Sequence, residues 1–103
     1  MKTRRRFDLI PWNAIREASH ILDFGAVKHG INTWREIPAD VHLDCAISHI
    51  GYWLDGQKVD PESGRSHLQH ALIRILFAVA LELVPDTIAE RLRKASGTRQ
   101  EPL

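Results

Sequence analysis

A chain of 103 residues supports one domain, and a lone domain of this size buries only about two-thirds of the surface its unfolded chain exposes, so extra core is expected from oligomerisation. With 44% hydrophobic and 26% charged residues the composition is that of an ordinary globular protein and excludes a disordered or fibrous chain. A net charge of +1 excludes a domain-wide basic field, and no stable nucleic-acid partner is expected.

Positive charge gathers at the two ends, in Lys2, Arg4, Arg5 and Arg6 and again in Arg91, Arg93, Lys94 and Arg99. Residues 1–5 and 96–103 are therefore expected as flexible basic ends around a single domain over 6–95. Cys45 is the lone cysteine, which rules out an internal disulfide, fits a reducing cytoplasm and reads as a small core side chain. Arg4 to Arg6 lead into only Phe7, Leu9 and Ile10, too little apolar sequence for a signal peptide. The longest apolar run, Ala71 to Val84, is interrupted by Arg74 and Glu82 and is too short to span a bilayer.

In chain order, the spacing predicts an all-α bundle of three main helices and a short fourth. The first helix starts near Pro11, puts Ile15, Ala18, Ile21 and Leu22 on one face, and ends between Gly25 and Gly30. A loop to Pro38 follows. The second helix runs from Pro38 to a stop at Gly56, with Leu43, Ile47, Ile50 and Leu54 expected to face the core. Its neighbouring stripe carries His42, Ala46, His49 and Trp53, so the two histidines lie on one side about two turns apart. The turn-forming Asp60-Pro61-Glu62-Ser63-Gly64 leads to the third helix, with Ser63 or Ser66 as its cap. That helix is apolar on nearly every side from Ala71 to Val84, which calls for neighbours all round, some of them from another subunit. Pro85 breaks it, and 86–95 is expected as the short last helix.

His67 and His70 lie three residues apart near the start of the third helix, with Asp60 and Glu62 just upstream. Imidazoles beside carboxylates suit a divalent ion, Mg²⁺ or Mn²⁺ with Zn²⁺ or Co²⁺ as alternatives; the other reading is structural, two rings that cap backbone or bond neighbours. His42 and His49 supply a second pair that an antiparallel hairpin brings alongside. No metalloprotease motif, His-Asp dipeptide, glycine-rich phosphate loop or nucleophile elbow occurs.

Several segments taken together resemble a known family: Arg6 to Pro11, Phe24 to Gly30, Asn32-Thr33-Trp34, His49 to Trp53, and Gly56 to Ala71 with its Asp60-Pro61-Glu62-Ser63-Gly64 and His67-Leu68-Gln69-His70. In this combination, spanning residue 6 to about 84, the chain is similar to the N-terminal domain family of phage dATP/dGTP diphosphohydrolases, MazG-like nucleotide pyrophosphohydrolases of the MazZ type. The resemblance implies metal-dependent hydrolysis of purine deoxynucleoside triphosphates to monophosphate and pyrophosphate, in phages a way of reshaping the nucleotide pool of the host cytoplasm. Two departures stand out: Gln57 occupies a position where the family commonly has an acid, and the Glu-x-x-Glu and Glu-x-x-Asp metal motifs of MazG-like enzymes are absent.

On this reading Glu62, His67, His70 and Asp60 hold the metal, and Glu62 and His49 serve catalysis, His49 alternatively as a ligand or a support for one. Lys28 meets the phosphates, Asn32 reads a purine edge and Trp34, or less favourably Trp53, offers a stacking face. Asp8 braces the entrance or orients a basic group. The competing expectations are a non-catalytic oligomeric interaction module and a nucleic-acid accessory module using the basic ends.

Overall fold

The computed structural model describes residues 5–83. The remainder of the basic ends and the short helix expected over 86–95 lie outside the described residues. Among the described residues four α-helices form the bundle: α1 Trp12–Ala18, α2 His20–His29, α3 Ala39–Leu54 and α4 His67–Leu83. Short 3-10 turns cover Phe7–Leu9 and Thr33–Glu36, and the only β-type pairing among the described residues is an isolated bridge between Val59 and Ser66. The described domain is thus all-α.

The single first helix expected from the sequence is two helices. Ser19 Oγ donates a hydrogen bond of 2.6 Å to Arg16 O, a side-chain competitor for the backbone ladder that favours a break. Of the four apolar residues expected on one face, Ala18 and Ile21 are buried while Ile15 and Leu22 stay exposed. α2 runs through Gly25 and stops at Gly30.

α3 begins after Pro38 and ends where the sequence placed its stop, since Gly56 adopts φ +105°, a conformation that side chains with a Cβ resist. Gly56 and Gln57 donate their backbone N–H groups to Trp53 O and Tyr52 O, so the last carbonyls are satisfied. Of the two candidate caps for α4, Ser66 is the one used: its Oγ accepts from Leu68 N–H at 3.1 Å.

α3 and α4 form an antiparallel hairpin, with His49 against His67 at one end and His42 against Arg74 at the other. The stripe of α3 turned most fully toward α4 is the neighbouring one, and of the four residues expected to face inward only Ile50 is even half-buried. His42 and Ala46 are buried, whereas Leu43, Ile47 and Leu54 are 42%, 66% and 71% exposed. Ala46 lets the two backbones approach, and imidazoles can enter the interface because each finds a hydrogen-bond partner there. On α4 the buried positions are His67, His70, Ala71, Ile73 and Ala78, while Leu72, Ile75, Leu76 and Val79 remain exposed, so α4 is not enclosed on all sides. The small apolar core joins Ala18, Ile21 and Ile73, with Phe77 packed against it. Cys45, expected in the core, is only half-buried and is not part of this cluster.

Candidate active site

A cavity of about 550 Å³ opens between α2, the Thr33–Glu36 turn, α3 and α4, a size that suits a small-molecule ligand. Its walls include Lys28, Asn32, Trp34, His42, His49, Asp60, Glu62, His70 and Arg74. Most of the residues singled out from the sequence therefore meet in one place. His67, Trp53 and Asp8 are not on its walls.

The loop between α3 and α4 builds the acidic side. Asp60 N–H donates to Arg65 O, Gly64 N–H donates to Asp60 O, and His67 N–H donates to Lys58 O, closing a tight turn. Gly64 makes the turn possible with φ +74°. Arg65 ties the loop to α1 through an ion pair with Glu17 at 3.0 Å. Inside the turn Ser63 Oγ donates to Asp60 Oδ2 at 3.0 Å and lies 2.6 Å from His70 Nε2. A hydroxyl has one hydrogen, so toward His70 it accepts, and His70 carries its proton on Nε2, also 3.2 Å from Asp60. Burial works against the Asp60 carboxylate, but Ser63, the Glu62 and Ser63 backbone N–H groups and His70 outweigh it and hold its pKa below the usual value.

A relay of three side chains fixes the other base. Gln57 Oε1 lies 2.8 Å from His67 Nε2, and His67 Nδ1 lies 2.8 Å from His49 Nδ1. An amide oxygen only accepts, so His67 Nε2 carries the hydrogen, its Nδ1 accepts, and His49 donates from Nδ1. His49 Nε2 is left bare. Burial first, then repulsion from His70 and His67, pushes His49 down to about 4, and burial also lowers His70. The two rings stack with centroids 4.6 Å apart, an arrangement open to them as neutral imidazoles at physiological pH. His67, expected as a ligand, has both ring nitrogens engaged and sits behind His49, packed under the Tyr52 ring.

Lys28 forms a salt bridge with Glu62, so two residues given opposite roles touch each other. Asn32 reaches the cavity from the left-handed conformation at φ +63°. Trp34 is held on both faces: Phe77 stacks at 4.6 Å with a 4° tilt, and the Arg35 guanidinium lies 4.8 Å from the ring centroid. Asp8 pairs with Arg6 at the exposed surface, and Trp53 carries Lys58 over its ring.

Arg74 escaped the sequence reading, which treated it as an interruption of an apolar run. Its position within that run was the available signal, because a guanidinium on a mostly apolar helix requires a partner. Among the described residues no three His, Cys, Asp or Glu side chains stand as a metal cage. The chemistry of the donors facing the cavity nevertheless suits a divalent ion: hard carboxylate oxygens from Asp60 and Glu62 and a bare nitrogen from His49.

The architecture is that of an all-helical domain whose helices enclose a histidine- and carboxylate-lined cavity with cationic walls. The chain belongs to the family described as "dATP/dGTP diphosphohydrolase, N-terminal", whose pattern matches residues 1–91. No curated protein and no solved structure matches it. Among the described residues no helix is long and apolar enough to cross a membrane.

Proposed function

We propose that this domain hydrolyses dATP and dGTP to the monophosphate and pyrophosphate with the help of a divalent metal. One observation carries the reading: His49, held with Nε2 bare, shares a cavity with two carboxylates and two cations. Asp60 and Glu62 would hold the metal, with His70 beside them, and His67 acts by positioning His49 rather than as a ligand. Bound there, a divalent ion supplies charge neutralisation for the triphosphate and acidifies a water. His49 Nε2 accepts a hydrogen bond from the attacking water and orients it toward the α-phosphorus. Its low basicity keeps it unprotonated at neutral pH, but makes it a weak proton acceptor for a water that has not been acidified. Attack forms the new P–O bond as the water releases a proton to solvent, the bond between the α-phosphorus and the oxygen bridging to the β-phosphorus breaks, and pyrophosphate leaves with that oxygen. Lys28 offers its charge to the leaving phosphates, and Asn32 offers both a donor and an acceptor to the purine edge.

Self-association is part of the same proposal. Leu43 and Ile47 of α3 and Leu72 and Ile75 of α4 expose large apolar side chains on the hairpin, more than scattered surface apolar residues require. A second copy of this chain is the proposed cover.

The test is pyrophosphate release from each of the four dNTPs with Mg²⁺ or Mn²⁺, for the protein and a folded Glu62→Gln variant. Metal-dependent turnover of dATP or dGTP that collapses in the variant is the expected result. Absence of turnover with every nucleotide and both metals would overturn the enzyme reading.

A further inference from the structure

Between Ala71 and Leu81 of α4, Arg74 is the only charged residue. It is half-buried and lines the cavity. Taking a guanidinium out of water is costly unless something compensates it, and within the described residues that compensation is partial. Arg74 Nη1 donates to His42 Nδ1 at 3.0 Å. To accept there, Nδ1 must be bare, and His42 uses its Nε2–H to donate to Trp34 O at 2.9 Å. His42 is completely buried, at 0% exposure, so the imidazole end of both bonds is shielded from water. The imidazole therefore orients the guanidinium without cancelling its charge.

No carboxylate among the described residues forms a salt bridge with Arg74. Asp60 is committed to Ser63 and His70, and Glu62 to Lys28. Among the described residues, one wall of the cavity thus presents a positioned cation with unused N–H donors and no anion of its own. We propose that Arg74, held by His42, is an anchor for the polyphosphate chain of the nucleotide, an inference that rests on the nucleotide reading above. Several N–H groups in a planar fork match pairs of phosphate oxygens in a way that the point charge of a lysine does not. His42 is a positioning residue: it sets the direction of the fork and, through Trp34 O, couples that direction to the turn that carries Asn32 into the cavity.

The probe is inorganic tripolyphosphate without metal, titrated calorimetrically into the full chain and into Arg74→Gln, Arg74→Lys and Arg16→Gln. The expected result is binding by the wild type, a loss of at least about ten-fold in Arg74→Gln and a smaller loss in Arg74→Lys. Arg16 lies on exposed α1 away from the cavity, and Arg16→Gln should bind as the wild type does. A readout that needs no variant is the Arg74 Nε–H resonance of the wild type, which should move as tripolyphosphate is added and saturate with the calorimetric affinity. No binding by the wild type, unchanged affinity in a folded Arg74→Gln, or an unmoved Arg74 resonance at saturation would overturn the proposal. The two readings fail separately. Tripolyphosphate binding that depends on Arg74 without any dNTP turnover removes the enzyme and leaves the anchor; turnover with unchanged KM in Arg74→Gln removes the anchor and leaves the enzyme.

Discussion

Lowering the pH from 7.5 to 5 should destabilise the fold, with His49 as a main cause. Its folded pKa is about 4 against an ordinary 6.5. Between those values the unfolded chain binds a proton at position 49 that the folded chain excludes, so stability rises with pH in that window. The contribution is complete above about 6.5 and lost progressively down to about 4. Taken in full, the difference corresponds to about 3.4 kcal/mol; the ring is only partly shielded from solvent, which reduces it to about 1.5–2 kcal/mol. About 1 kcal/mol of this is lost by pH 5, and His70, lowered in the same direction, adds to the loss. Asp60 does not act in this window. Its folded pKa lies below the ordinary 3.8, so its stabilising share persists above that value and disappears only at lower pH. Urea unfolding followed by tryptophan fluorescence measures the effect. The wild-type midpoint should fall by about 0.5–1 M between pH 7.5 and pH 5, and His49→Asn, with no titratable ring, should show a smaller fall. Equal or greater wild-type stability at pH 5, or an undiminished fall in His49→Asn, would refute the reasoning.

Gln57→Leu removes the acceptor for His67 Nε2–H, and should cost about 1 kcal/mol by chemical denaturation. Nitrogen NMR should also show that His49 no longer holds a single tautomer with Nδ1 protonated; an unchanged spectrum would count against the relay. His67→Ala should lower kcat through His49 while leaving the apparent affinity for metal, read by metal titration, within about two-fold, since no lost ligand is involved. Trp34→Ala opens the stack on Phe77 and should cost about 2–3 kcal/mol of stability; an effect on KM alone would instead mark a face free for substrate. Ile47→Glu combined with Ile75→Glu should reduce the mass measured by light scattering to that of a monomer, and a wild type that is already monomeric removes the second-copy proposal.

The points where the chain changes direction were legible because they depend on local chemistry. Pro38, Gly56 and Ser66 act through their own dihedrals or hydrogen bonds, and the hairpin ends follow. The break at Ser19 was hidden, since a serine in a helical pattern does not disclose whether its hydroxyl will bond the chain three residues back. The inward face of α3 was misjudged for a different reason: periodicity ranks stripes by hydrophobicity, and it favoured Leu43, Ile47 and Leu54 over a stripe whose histidines turn inward only through partners on other elements. Those partners are Trp34 and Arg74 for His42, and His67 for His49. Residues that line the cavity could be nominated, Asp60, Glu62 and His70 from spacing and Lys28 from the family resemblance, but not their pairings. Lys28 with Glu62, and Gln57 with His67, are separated by 34 and 10 positions and exist only once the loop has folded back.

The Lys28–Glu62 ion pair makes the cavity its own competitor. While the two side chains satisfy each other, a phosphate must displace the carboxylate to gain the ammonium, and a cation must displace the ammonium to gain the carboxylate. Whichever arrives first releases the group the other needs. Anion and cation should therefore enter with positive cooperativity, and by thermodynamic reciprocity each should tighten the other by the same factor.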